Sequence, residues 1–295
     1  RTFGLKVPIQ QLFQNGTIEQ LCKVLGIEEH NGEKIDITDE KSQDISVKNG
    51  DIEFDHVWFK YKNEAKEYVL SDVSFHIKPG QTVGIIGQTG SAKTTLVQLI
   101  PRLYDTTKGT VRIDGIDVKN YPVRHLRDAI AVVLQKNTLF SGSLISNLRW
   151  GNENAAKEEI DEACHIACVD EFLDRLPNGY ESEMGQGGVN VSGGQKQRIC
   201  IARAILKKPK VLILDDSTSA VDTATEGRIR EELAKKLPDM TKIVIAQRIS
   251  SVKHADQIII LDRGCVNAIG THDELLKNNK IYQEIYESQK EGADL

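Results

Sequence analysis

The chain has 295 residues, of which 39% are hydrophobic, and its formal net charge is −5. This length accommodates one large domain or two smaller ones with buried cores, which excludes an intrinsically disordered chain. The negative balance argues against nucleic acid as a partner, because binding to a phosphate backbone requires clustered Lys and Arg.

The first 49 residues divide into a helical segment and a linker. Apolar side chains recur at helical spacing over residues 1–26, with a break at Asn15 and Gly16, which predicts a short N-terminal helical extension. Residues 3–8 and 12–21 are also similar to the closing helices of an acyl or peptidyl carrier domain, and both interpretations stay open. Acidic residues outnumber basic ones over residues 27–49, which predicts a solvated acidic linker. The chain begins at Arg1 without a Met, and we expect it to be a piece of a longer protein.

Residues 50–295 carry the pattern of a single α/β domain. Alternating side chains predict two antiparallel strands over residues 51–61 and 68–77. Helical stretches separate apolar strands that are typical of a mostly parallel sheet buried on both faces, predicted at 82–86, 130–134, 211–214, 243–246 and 257–261. These apolar runs fall far below the roughly 20 residues of a membrane-spanning helix, so we predict no direct membrane insertion.

A phosphate-binding loop follows the strand at 82–86 and opens a helix. The sequence matches G-x-x-x-x-G-K-[ST] except that Ala92 replaces the second glycine. Backbone N–H groups and the helix N-terminus would bind phosphate oxygens, Lys93 would reach the β and γ phosphates, and Thr94 would hold Mg²⁺. We expect Ala92 to be tolerated with a negative φ, as is usual on entering a helix. The predicted nucleotide contacts are Gly87, Gln88, Thr89, Gly90, Ser91, Ala92, Lys93, Thr94 and Thr95.

Two later motifs carry a resemblance to a known family. The pentapeptide V-S-G-G-Q occupies residues 191–195, and an apolar strand further along ends in Asp215 and Asp216. Over residues 50–290 this order resembles the ATP-binding domains of ABC transporters. The resemblance implies a P-loop NTPase fold with a RecA-like core, an antiparallel β subdomain and a helical signature subdomain at about 136–205.

The same resemblance implies a role for each motif residue. Tyr61 would stack on adenine, Gln135 would be the Q-loop ligand of Mg²⁺, and Asp215 would hold the same ion. Asp222 closes the D-loop at 219–222. The signature residues would face the nucleotide of a second module, and they are Val191, Ser192, Gly193, Gly194 and Gln195. ATP and Mg²⁺ are the ligands implied.

Two positions depart from the family pattern at the hydrolytic machinery. Asp216 stands where the family has Glu, and Gln247 stands where it has the switch His. A misplacement of about 1 Å can lower a rate on the order of 100-fold, and glutamine cannot carry a positive charge. The combination resembles the degenerate subunit of heterodimeric bacterial multidrug-type ABC exporters. The alternative is that Asp216 and Gln247 support full activity.

Three functions follow as hypotheses. The first is a weakly hydrolysing motor subunit on the cytoplasmic face of the cell membrane, attached to transmembrane domains absent from this chain and paired with a second, non-identical module. The second is an ATP-loaded regulatory partner with negligible turnover. The third is a soluble, non-transport ABC ATPase, which is disfavoured because the sequence has neither a long coiled-coil insertion nor a tandem module.

Overall fold

Strands and helices alternate along residues 45–185, 187–188, 190–216 and 220–291, the part of the chain that the computed structural model describes. The predictions for residues 1–26 and 27–44 lie outside it. The strands are β1 (Ile52–Phe59), β2 (Leu70–Ile77), β3 (Thr82–Ile86), β4 (Lys108–Ile113), β5 (Ile116–Asp117), β6 (Ile130–Val133), β7 (Gly142–Ser143), β8 (Glu183–Met184), β9 (Val211–Asp215), β10 (Thr241–Ile245), β11 (Gln257–Asp262) and β12 (Cys265–Gly270). The helices are α1 (Lys93–Gln98), α2 (Val123–Asp128), α3 (Leu144–Arg149), α4 (Lys157–Ile166), α5 (Asp170–Leu173), α6 (Gly193–Leu206), α7 (Thr223–Lys236), α8 (Ile249–Val252), α9 (His272–Asn278) and α10 (Lys280–Glu291).

A four-stranded antiparallel sheet has the order β2-β1-β4-β5. The two predicted strands are confirmed as β1 and β2, and Ile52 of β1 pairs with Ile77 of β2. The sequence interpretation missed β4 and β5. The turn between them holds Asp114, whose carboxylate accepts hydrogen bonds from the backbone N–H groups of residues 48–51. The end of the predicted linker therefore lies against this sheet.

A six-stranded sheet has the order β12-β11-β3-β10-β9-β6. The strands from β11 to β6 are parallel, and β12 is an antiparallel edge strand that the sequence interpretation missed. All five residues of β9 are buried, which explains why its sequence is a continuous apolar run. Since the parallel strands end at the same edge, this sheet brings together the segments that follow β3, β6, β9 and β10. The predicted P-loop NTPase fold is confirmed.

A helical region lies between β6 and β9 in the sequence. It contains α3, α4, α5 and α6, and a short antiparallel pair formed by β7 and β8. A cluster of buried side chains that includes Leu144, Ile160 and Ile201 joins these helices to one another and to Leu212 and Leu214 of β9. The helical region and the parallel sheet therefore share a core.

The C-terminal helices pack on the same face of the parallel sheet as the helical region, over β3, β10 and β11. Tyr282 of α10 is fully buried in a cluster with Ile86, Ala246, Ile249 and Leu275. Helix α10 is thus packed next to the end of β10. Within the described ranges, every helix is too short or too polar to cross a lipid bilayer.

Candidate functional site

The loop between β3 and α1 wraps around the ammonium group of Lys93. Its Nζ donates to the carbonyl oxygens of Gly87 at 2.7 Å and Gln88 at 3.0 Å. Partial burial lowers the pKa of Lys93 from its usual value, although the nearby Asp216 and Asp215 raise it. A Cβ on Gly87 would lie 2.2 Å from the carbonyl oxygen of Leu261, so only glycine fits at this close approach. The loop can therefore present a cation and backbone donors to an anion.

Ala92 has the left-handed conformation, with φ 72° and ψ 23°, at the N-cap of α1. The expectation of a negative φ was therefore wrong. The carbonyl oxygen of Ala92 already accepts from the N–H of Leu96 at 2.9 Å, so the loop must make its final turn at this residue. A non-glycine residue in this conformation costs about 1–2 kcal/mol.

Ala92→Gly should raise the free energy of unfolding by about 1 kcal/mol, because glycine adopts this backbone without a Cβ penalty. For a domain of this size, the melting temperature should rise by about 2–4 °C in thermal unfolding without nucleotide. The matched control is Gly90→Ala, since Gly90 has φ 84° and its added Cβ would meet no described atom within 4 Å. This control should lower the free energy of unfolding by a similar amount. A destabilised Ala92→Gly protein would show that the backbone of Ala92 is not strained.

Thr94 and Asp215 form an oxygen-rich pair beside Lys93. The Thr94 hydroxyl donates to Asp215 Oδ2 at 2.9 Å. Asp215 is buried at the end of β9, and burial raises the pKa of its carboxyl while the bond from Thr94 lowers it. A hydroxyl and a carboxylate are hard oxygen donors of the kind that Mg²⁺ prefers, so the donor set fits this ion.

One carboxylate oxygen of Asp216 accepts hydrogen bonds from two side-chain amides. Gln135 Nε2 and Gln247 Nε2 each donate to Asp216 Oδ2 at 2.9 Å. The Asp216 backbone is left-handed, with φ 47°, and its N–H donates to Ile245 of β10 at 2.9 Å. Burial raises the pKa of Asp216, whereas the two amides and Lys93 lower it. The structure therefore brings the three predicted catalytic residues into direct contact.

Tyr61 lies beside the phosphate loop. Its hydroxyl is 2.8 Å from Oγ1 of Thr95, and 46% of the residue is exposed. The ring packs edge-on against Phe59 and Tyr104, with centroid distances of 4.9 and 5.1 Å. Tyr104 was missed by the sequence interpretation, although an aromatic residue soon after α1 is the signal that identifies it. An exposed aromatic ring can stack on a planar ligand.

The pentapeptide at 191–195 caps helix α6. Ser192 Oγ accepts from the N–H of Gln195, and the Gln195 side chain accepts from the N–H of Ser192, which is a capping box. A Cβ on Gly194 would lie 2.8 Å from the carbonyl oxygen of Ala220, whereas a Cβ on Gly193 would be in ordinary contact with the Ala220 side chain. Ser192 and Gly193 are exposed.

The predicted D-loop lies next to this pentapeptide. The N–H of Ala220 donates to Gln197 of α6 at 3.1 Å, and Asp222 caps α7 by accepting from the N–H of Thr225 at 3.0 Å. Ser219 lies outside the described residues. One cleft is lined by residues 89–95 together with Gln135, Asp215, Asp216 and Gln247. Tyr61 is joined to this cleft through Thr95, whereas the pentapeptide contacts the D-loop at Ala220 and does not line the cleft.

The fold and the cleft define a P-loop domain suited to a nucleoside triphosphate. A family model described as ABC transporter matches residues 70–219. The chain belongs to the ABC transporter family, which implies ATP binding and ATPase activity.

Two similar proteins come from Bacillus subtilis. An uncharacterized ABC transporter ATP-binding protein, YfiB, is 47% identical over 83% of this chain and 43% of its own length. A putative multidrug export ATP-binding/permease protein, YgaD, is 45% identical over 81% of this chain and 41% of its own length. A solved structure of a bacterial Atm1-family ABC exporter with ATP bound has 32% identity and a TM-score of 0.84, and it covers 95% of this chain and 48% of the exporter chain. The chain thus spans less than half the length of these proteins.

Proposed function

We propose that this chain is the ATP-binding module of an ABC exporter, that its own hydrolytic site is impaired, and that it pairs with a second, non-identical module. The observation that carries this proposal is the contact of Asp216 with Gln135 and Gln247 beside an otherwise well-formed phosphate loop. Besides Ala92 in the phosphate loop, the departures fall on Asp216 and Gln247, the residues that would act on water and the γ-phosphate.

The binding half of the proposal rests on the loop and its neighbours. Lys93 would exchange its two loop carbonyls for β- and γ-phosphate oxygens, and backbone N–H groups of the loop would hold the remaining oxygens. Adenine would stack on Tyr61. Thr94, Asp215 and Gln135 would hold Mg²⁺, which supplies charge neutralisation at the phosphate oxygens when bound.

The impaired half rests on Asp216 and Gln247. The Asp216 carboxylate is one methylene shorter than Glu, and two amide donors already share its Oδ2. Burial keeps the pKa of Asp216 above its usual value, so the impairment comes from the shorter reach of the carboxylate and from the two amides on Oδ2, and not from weak basicity. Gln247 can donate a hydrogen bond to a γ-phosphate but cannot place a positive charge there, as a protonated His can. Slow turnover is the consequence.

A second module would complete both nucleotide sites. The exposed N-terminus of α6 presents backbone donors, yet it lies outside this chain's own cleft. We propose that Ser192 and Gly193 contact the nucleotide held by the partner module, where a helix N-terminus favours phosphate. ATP-driven pairing would then power transport. An ATP-loaded regulator with negligible turnover is the second candidate, and the same contacts at Asp216 favour it.

A separate apolar groove suits a segment of the transmembrane domains. Phe140 and Trp150 stack with centroids 4.5 Å apart, Trp150 is 68% exposed and Leu134 is 51% exposed. Large exposed apolar patches of this kind mark interaction surfaces. The occupant that we propose is a membrane-domain segment, because YgaD is described as an ATP-binding/permease protein and the chain spans 41% of its length. This contact would place the chain at the cytoplasmic face of the membrane and argues against a non-transport ATPase.

The proposal predicts that the protein binds ATP and hydrolyses it slowly. With Mg·ATP, bound nucleotide should be recovered as ATP, and turnover should fall about 100-fold below the roughly 10 s⁻¹ that is typical of enzymes. The measurement is chromatography of the bound nucleotide after rapid filtration. Lys93→Ala is the control, since removing the ammonium group should abolish retention. Brisk turnover by the unmodified protein would refute the impaired site.

A further inference from the structure

The side chain of Gln289 clamps the backbone on both sides of Arg248. Gln289 Nε2 donates to the carbonyl oxygen of Gln247 at 2.7 Å, and the N–H of Ile249 donates to Gln289 Oε1 at 2.9 Å. One planar amide therefore satisfies an acceptor and a donor that flank a single residue, as a neighbouring β-strand would. Arg248 between them is extended, with φ −100° and ψ 132°.

The two hydrogen bonds of Gln289, called the clamp below, bind backbone groups that have no partner within a helix or a strand. Ile249 is the first residue of α8, and the first N–H groups of a helix have no acceptor within that helix. The carbonyl of Gln247 follows the end of β10. Gln289 therefore fixes the path of the chain from β10 into α8 at the residue whose side chain reaches Asp216.

Helix α10 holds Gln289 in a fixed place. Tyr282 is fully buried and its hydroxyl is 2.7 Å from Nδ1 of His272. Ile285 and Tyr286 pack on the cluster that contains Ala246 and Ile249. Ala246 and Ile249, which flank Gln247 and Arg248, share this cluster with α10. A shift of the last turns of α10 therefore changes the position of the Gln247 backbone.

We propose that Gln289 is a positioning residue for the switch, and that the C-terminal helix thereby sets the reach of residue 247 toward Asp216 and the γ-phosphate. The contacts run from Gln289 to the Gln247 backbone, and from the Gln247 side chain to Asp216 Oδ2. The role in turnover rests on the proposed nucleotide site of this chain. The clamp uses only the backbone of residue 247, so it persists whichever side chain stands there.

Two substitutions separate the halves of the clamp. Gln289→Leu removes both hydrogen bonds and keeps a good helix former. Gln289→Glu keeps an acceptor for the N–H of Ile249 but loses the donor to the carbonyl of Gln247. Gln283→Leu is the matched control, because Gln283 lies on the same helix and donates to the carbonyl of Leu276 at 2.7 Å, away from the switch.

The first measurement is amide hydrogen exchange at Ile249 without nucleotide. Gln289→Leu should speed exchange about 10-fold, whereas Gln289→Glu and Gln283→Leu should leave it near the unmodified rate. Equal exchange in Gln289→Leu and the unmodified protein would overturn the clamp. This measurement does not depend on hydrolysis, so it stands if the proposed function fails.

The second measurement is ATP turnover in the assembled transporter, with the partner's own site silenced at its phosphate-loop lysine. Gln289→Leu and Gln289→Glu should each lower kcat about 10-fold at unchanged KM, both in the unmodified protein and with Asp216→Glu plus Gln247→His. Gln283→Leu should not. Faster exchange at Ile249 with unchanged kcat would overturn the positioning role and leave a purely structural contact. A briskly hydrolysing unmodified protein would refute the impaired site but not the clamp.

Discussion

Asp216→Glu combined with Gln247→His should raise ATP turnover at this chain's phosphate loop by about 100-fold. The longer carboxylate would reach the attacking water, and the imidazole would bring a group that can be protonated next to the γ-phosphate. Asp216 and Gln247 are already in contact through Oδ2 at 2.9 Å, so the two new side chains would face each other across the same position. The measurement is phosphate release in the assembled transporter with the partner's site silenced.

The single substitutions sharpen this experiment. Residues that act as a unit are not additive, so Asp216→Glu alone and Gln247→His alone should each recover only a small part of the gain. Asp216→Asn with Gln247→His is the matched control, since it keeps the size of the side chain and removes the base. If ATP turnover rises as much in this control as in the double variant, residue 216 does not act as the base. An unchanged double variant would contradict the impaired site proposed here.

Gly193→Asp should lower hydrolysis by the partner module about 100-fold or more while this chain's own ATP binding stays within a few-fold. Gly193 is exposed at the first position of α6, and a Cβ there would be 3.5 Å from the Ala220 side chain, so the new side chain fits. A carboxylate at a helix N-terminus is locally favourable, so the chain should remain folded. The same carboxylate would repel the phosphates of a nucleotide on the partner. The measurements are partner-site phosphate release and nucleotide affinity of this chain.

Gly227→Asp is the matched control for this effect on the partner module. Gly227 lies in α7, and a Cβ there would meet the Arg230 guanidinium at 3.7 Å. This control adds the same charge to a helix outside the signature and should leave partner turnover unchanged. Gly194 is unsuitable, because its Cβ would lie 2.8 Å from the carbonyl oxygen of Ala220 and would disturb this chain's own fold. Unchanged ATP turnover by the partner module with Gly193→Asp would show that Gly193 does not contact the partner's nucleotide.

Local patterns predicted the parts of the fold that depend on near neighbours. The apolar run at β9 and the alternation at β1 and β2 identified strands, because burial on two faces or one leaves a direct trace in the sequence. The V-S-G-G-Q pentapeptide lies at the start of α6, and its capping box joins residues three apart. The edge strand β12 has no buried residue and therefore no apolar run, and the two-residue strand β5 is too short for any periodicity to appear.

The phosphate loop shows the limit of motif reasoning. Its position between β3 and α1 was correct, but the φ of Ala92 was not, because the loop geometry is set by the turn into α1 and not by the preference of alanine. Tyr104 was missed for a related reason. Its contact with Tyr61 exists because the segments that follow β1 and α1 meet in space, 43 residues apart in the numbering.

The sequence by itself determined the family, the phosphate loop and the two departures at Asp216 and Gln247, since each is a residue type at a fixed spacing. Only the tertiary structure decided that Gln135 and Gln247 share one oxygen of Asp216, and that Gln289 of the last helix holds the Gln247 backbone. These contacts join segments that lie 31 to 81 residues apart. The common edge of the parallel strands and the packing of α10 against it bring these segments together, and no local spacing records that geometry.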